Sequence, residues 1–238
     1  MAMIWMFLGI AALLLPTSAP ASTTLSPAQQ WALATSALLT ERNRERHDIL
    51  GGVEPSPAAA GKVRELLDQW WGTRDRAGLL HSLQWIETGG HRTQFAELGK
   101  ELAARPRAEV AAFQTDPRLN DDVRKKIAVV TREYERLGAK GLIGWDYARY
   151  VSLCRWGYVA GYLSEDEAWV RIMKAARLLQ QTYGSWRELG ENYLIGREFW
   201  SPAQTARNGQ LYEATFQRLV SDPQSPWVRL PWRTPLGK

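Results

Sequence analysis

The chain has 238 residues, 45% of them hydrophobic and 23% charged, which is enough to bury a core and excludes a disordered or low-complexity protein. Thirty Lys and Arg against 25 Asp and Glu give a formal charge of +5, but the bases are interleaved with acids, as in "ERNRERHD" and "DDVRKKIAVVTREYER". That is the pattern of solvated helix faces and argues against a basic stripe tracking nucleic-acid phosphates.

The N-terminus, "MAMIWMFLGIAALLLPTSAPAS", holds no charged side chain in its first 21 residues. Its apolar run from Ala2 to Leu15 is short for a bilayer span, which takes ~20 residues. Thr17-Ser18-Ala19 and Ala19-Pro20-Ala21 place small residues where a signal peptidase cuts. Residues 1–21 are therefore expected to be a signal peptide that directs export to the periplasm. An uncleaved membrane anchor is the alternative, and it would be the chain's one membrane contact. No cysteine follows the run, which argues against a lipoprotein.

Helix signals dominate the remainder, so the expected fold is all-α, a single multi-helix domain over residues 25–238. Ser26-Pro27-Ala28-Gln29 and Ser201-Pro202-Ala203-Gln204 both read as capping boxes with proline at the first helical position. Ser164 with Glu167 and Ser185 with Glu188 repeat the spacing. The pattern predicts helices near 27–42, 58–72, 75–87, 92–104, 118–137, 145–162, 165–182, 186–199 and 202–219. Loops are expected at 51–57 and 138–144, and a non-helical tail, "SPWVRLPWRTPLGK", at 225–238. Trp227, Leu230 and Trp232 should pin that tail to the body. Twelve tryptophans, far above average usage, read as packing wedges between helices.

The stretch "GWDYARYVSLCRWGYVAGYLSEDEAW", 144–169, is apolar on every side and so marks a central helix, yet it carries Asp146, Arg149 and Arg155. Gly157 should admit a second helix closely. Asp146 and Arg149, one turn apart, are expected to pair. In "SWRELGENYLIGREFW", 185–200, Arg197 shares a face with Tyr193 and Trp200, and Asp146 is its expected partner. Asp146, Arg149 and Arg197, with Trp145, Trp156, Tyr193 and Trp200, form the candidate polar cluster or ligand site. It is either a closed ion network or the wall of a pocket.

These two stretches, with "SPWVRLPWRTPL" (225–236) and "LSPAQQWALATSALLTERNRERHDILGG" (25–52), resemble the bacterial family known as domain of unknown function 1266. The resemblance covers nearly the whole chain after the leader and is loosest over 53–140. It implies a helical bacterial domain without an established activity, from whose pattern the leader departs.

Little in the sequence points to catalysis. His47, His81 and His91 lack metal-ligand spacing, and no phosphate loop, dinucleotide fingerprint or Gly-x-Ser-x-Gly elbow occurs. Cys154, the single cysteine, can form neither an intramolecular disulfide nor a thiolate zinc site, and its place in the central helix predicts burial. No metal or cofactor is expected. The leading expectation is a non-catalytic helical module that binds a protein or small ligand through an aromatic and arginine-lined concavity. The alternative is a hydrolase or transferase using Asp146 with Arg149 and Arg197.

Overall fold

The serines that the sequence offers as caps do start helices. The computed structural model describes residues 24–237, so the expected leader at 1–21 lies outside the described residues. Helices follow in the order α1 (Pro27–Ala34), α2 (Ala37–Arg42), α3 (Pro57–Trp71), α4 (Arg76–Thr88), α5 (Gly90–Ala103) and α6 (Arg107–Thr115). Then come α7 (Asp121–Leu137), α8 (Ile143–Val159), α9 (Glu165–Thr182), α10 (Trp186–Trp200), α11 (Pro202–Ser221) and the short α12 (Pro226–Arg229). The fold is all-α, without a strand among the described residues.

Full capping boxes close on Ser26 with Gln29 and on Ser164 with Glu167. Ser185 accepts from Glu188 N, but the Glu188 side chain accepts from Gly184 N and pairs with Lys140 instead of returning to the cap. The stretch expected as one helix over 27–42 is two. The Thr35 and Ser36 hydroxyls donate to the Ala32 and Leu33 carbonyls at 2.6 and 2.9 Å, competing with the helical ladder and turning the chain. Helix α6 had no sequence forecast because it follows Pro106 and buries only Val110, a weak periodic signal. The tail also gains the turn of helix at Pro226–Arg229.

Helix α8 is the axis of the molecule and packs against α2, α3, α4, α5, α9 and α10. All of its residues except Ile143, Tyr147 and Tyr158 are buried. Its N-terminus has no cap of its own, so α10 supplies one. Asn192 Oδ1 accepts from Gly144 N and Trp145 N at 3.0 and 3.3 Å, and its amide donates to Gly141 O at 2.7 Å. At the other end of the chain, the indoles of Trp227 and Trp232 donate to Ala34 O and Tyr183 O, which fastens the tail across α1 and the end of α9.

Candidate functional site

The three charges buried in α8 have three separate roles. Asp146 is fully buried and caps a different helix. Helix α5 begins at Gly89-Gly90, which offers no capping side chain. Asp146 Oδ1 and Oδ2 accept from the backbone N–H groups of His91 and Arg92 at 3.1 and 3.0 Å, and Arg92 Nη1 adds a contact of 3.2 Å. A carboxylate at a helix N-terminus meets both the orphan donors and the positive end of the dipole. Gly90 makes this possible. It has φ +63°, and a Cβ there would overlap Asp146 Oδ2.

The expected Asp146–Arg149 and Asp146–Arg197 pairs do not form. The Asp146 carboxylate is instead taken up by the backbone N–H groups and the Arg92 side chain of α5.

Arg155, also fully buried, holds the N-terminal segment. Its guanidinium donates to Leu50 O and Arg46 O at 2.9 and 2.7 Å and to the Ser36 and Thr40 hydroxyls. The Trp156 indole donates to Glu45 at 2.7 Å beside it. Burial lowers the Arg155 pKa to about 10, with Glu45 opposing the shift, so the group stays charged. Burial raises the Glu45 carboxyl, against the pull of Arg155 and the Trp156 bond.

Arg149 faces a cavity. It is 7% exposed, and its guanidinium carbon lies over two indoles, 4.4 Å from the Trp71 ring centre and 4.3 Å from that of Trp145. Its one hydrogen bond among the described residues runs from Nη1 to His91 Nδ1, at 3.1 Å. Because arginine can only donate, Nδ1 must accept, which puts the His91 proton on Nε2 and leaves the ring neutral. Asp146 Oδ1 lies 3.5 Å from the same nitrogen, too far to compete. Burial lowers the His91 pKa, against the opposing pull of Asp146 and with help from Arg149. Burial also lowers Arg149 to about 10, with Asp146 partly opposing from a distance.

The cavity has a volume of about 570 Å³. Helices α3 and α4 give it Trp70, Trp71 and Trp85, while α8 gives Trp145, Arg149 and Trp156. Tyr193, Arg197 and Trp200 come from α10, and Asn208 and Tyr212 from α11. Arg197 is 3% exposed and stands 4.0 Å over the Tyr212 ring, donating to Thr205 Oγ1 at 2.7 Å and Asn208 Oδ1 at 2.5 Å. The Tyr193 phenol feels both guanidiniums, although burial dominates and raises its pKa. The Trp145 indole N–H is buried without an acceptor among the described residues, an unmet donor that costs about 1–3 kcal/mol. No carboxylate among the described residues lines this space.

Residues 66–232 match the family described as "Protein of unknown function (DUF1266)". The chain belongs to that family. Two relatives from Escherichia coli (strain K12) are similar to this DUF1266 chain, and both carry the name of an uncharacterized protein. YbeR is 28% identical over 135 residues, 56% of each chain, so the match spans little more than half of that relative. YbeU is 24% identical over 192 residues, covering 75% of this chain and 80% of the relative. No solved structure matches the chain.

Six of the seven candidate residues named from the sequence border the cavity, and Asp146 does not. Sequence reasoning missed the opposite wall, Trp70, Trp71 and Trp85, together with His91. A signal was present in the adjacent pair Trp70-Trp71 at the end of α3. Neighbouring helical residues diverge by about 100°, so a small helix cannot bury both, and Trp70 is 53% exposed. Cys154 plays no part here. It is wholly buried, and burial raises its thiol pKa, so it stays protonated.

Proposed function

We propose that this DUF1266 protein is a non-catalytic binding protein whose ligand is a small organic molecule held in the tryptophan-walled cavity. The observation that carries the reading is the cavity itself. Its volume of about 570 Å³ lies inside the ~300–1,000 Å³ range of small-molecule sites, and it has the expected make-up of aromatic walls with a few placed polar groups. An enzyme built on Asp146 with Arg149 and Arg197 is less well supported, because Asp146 is already committed to the N-terminus of α5.

The test is a thermal-shift and tryptophan-fluorescence screen of the full chain against a chemically varied set of small aromatic and aliphatic compounds. Saturable binders are expected, and they should lose affinity in Gln204→Trp, which fills part of the cavity from α11. If no compound binds, or binders ignore Gln204→Trp, the reading falls.

An exported address goes with this proposal and is supported by the apolar run from Ala2 to Leu15 and the small residues that follow it. Intact-mass measurement of protein from its native host should show loss of the first ~20 residues. A full-length cytoplasmic product would overturn it.

A further inference from the structure

The wall of the cavity holds more donors and positive charge than its own acceptors answer. Arg149 and Arg197 are both more than nine-tenths buried, and neither has a carboxylate within ion-pair distance among the described residues. The neighbouring rings offset part of the desolvation through cation–π contacts. The Arg149 guanidinium carbon lies over the Trp71 and Trp145 rings, 4.4 and 4.3 Å from their centres, and one of its nitrogens is spent on His91. What remains is an edge of a planar fork packed against two indoles. The in-plane N–H groups of such an edge match the paired oxygens of an oxyanion. The rings around it, Trp85, Trp156 and Trp200 among them, offer flat apolar surface to whatever carries that head group.

We infer that the ligand of this cavity is an organic anion, its oxyanion head group on the free edge of Arg149 and its planar apolar body against the tryptophan rings. Arg197 and the Tyr193 phenol form the second polar end, and the body spans the space between. The inference rests on the cavity being a small-molecule site. Carboxylate and phosphate head groups share this chemistry, and no acidic residue among the described residues lines the space, which keeps the field favourable to either.

The test uses matched probes in isothermal titration calorimetry with the full chain: 2-naphthoate, its neutral isostere 2-naphthamide, 1-naphthyl phosphate and inorganic phosphate. The better of the two aryl anions should bind at least about tenfold tighter than the amide, the scale of one or two charge-assisted hydrogen bonds. Arg149→Gln should erase that difference, the anion losing more affinity than the amide. If that variant does not fold, Arg149→Lys replaces it and should keep only part of the preference, because a lysine retains the charge but offers no fork. The better of the two aryl anions identifies the head group. Equal binding of anions and amide by the wild-type chain would overturn the inference and leave the small-molecule reading standing. Inorganic phosphate binding as well as naphthyl phosphate would overturn the role given to the rings. Failure of every probe in this panel, together with failure of the wider screen, would bring down both readings.

Discussion

Arg149 donates to His91 Nδ1 at 3.1 Å, and this bond fixes a neutral imidazole inside the protein. Burial holds the folded pKa of His91 below its ordinary value, while Asp146 pulls it up and Arg149 and Lys126 push it down. In the unfolded chain His91 titrates near 6.5. With the folded pKa depressed, the unfolded state binds the extra proton. Stability is therefore full above about pH 6.5 and is lost as pH falls through the folded pKa, at no more than about 1.4 kcal/mol per pH unit for each histidine. His47, depressed by burial against the pull of Glu41, acts in the same direction. Urea melts of His91→Gln, which keeps an acceptor for Arg149, should show a shallower fall on acidification than wild type. An unchanged slope would show that His91 does not titrate this way.

The cap that Asp146 places on α5 makes a second prediction. Asp146→Asn keeps one acceptor for the His91 and Arg92 N–H groups and turns an NH₂ donor toward the other, at a cost of about 1–3 kcal/mol. Asp146→Ala leaves both N–H groups without their acceptor and removes the carboxylate from Arg92, which keeps the Ile86 and Glu87 carbonyls. It should cost more than the Asn variant, about 3–5 kcal/mol as an upper range for a broken buried pair. Denaturant melts give both values, and hydrogen exchange should show the first turn of α5 losing protection. Equal melts for Asn, Ala and wild type would mean that the cap contributes nothing.

The all-helical fold was legible in the sequence because its signals are local. Ser26, Ser164, Ser185 and Ser201 announce helix starts through bonds spanning three residues, and α8 declares its burial by being apolar all round. What the sequence does not carry is direction across helices. Asp146 and Arg149 are correctly spaced to pair, and only the approach of Gly90, more than fifty positions away, takes the carboxylate elsewhere. The cavity was half legible for the same reason. Arg149, Trp145, Tyr193, Arg197 and Trp200 announce themselves as polar or aromatic residues on buried faces, but the facing wall from α3 and α4 is brought there by tertiary packing alone.

Arg155 should prove the strongest single tie between α8 and the N-terminal segment. It serves the Leu50 and Arg46 carbonyls and two buried hydroxyls at once. Arg155→Met fits the volume but strands those acceptors, at a cost of about 1–3 kcal/mol for each one left buried and unmet. Arg155→Lys, with one nitrogen, cannot reach them all. Limited proteolysis should cut the loop between α2 and α3 faster in both variants, with Lys intermediate. Cutting at the wild-type rate would show that the loop is held by something else.

Gly157 provides the last prediction, where α8 meets α4. A Cβ at this position would collide with Leu79 Cδ2 and lie 3.2 Å from Leu163 Cδ1. Leu79 is fully buried, so its side chain has little room to retreat. Gly157→Leu should therefore overpack the contact and cost about 1–3 kcal/mol or more, with Gly157→Ala at the lower end. A steric origin predicts more than a loss. Leu79→Ala alone opens a void and should also destabilise, by about 2–5 kcal/mol. If the clash is the cause, the added side chain of Gly157→Leu partly fills that void, so the double variant should be more stable than the sum of the single losses predicts. Thermal or denaturant melts of the four proteins complete a double-mutant cycle. Strict additivity would mean that Gly157 matters for some reason other than its contact with Leu79.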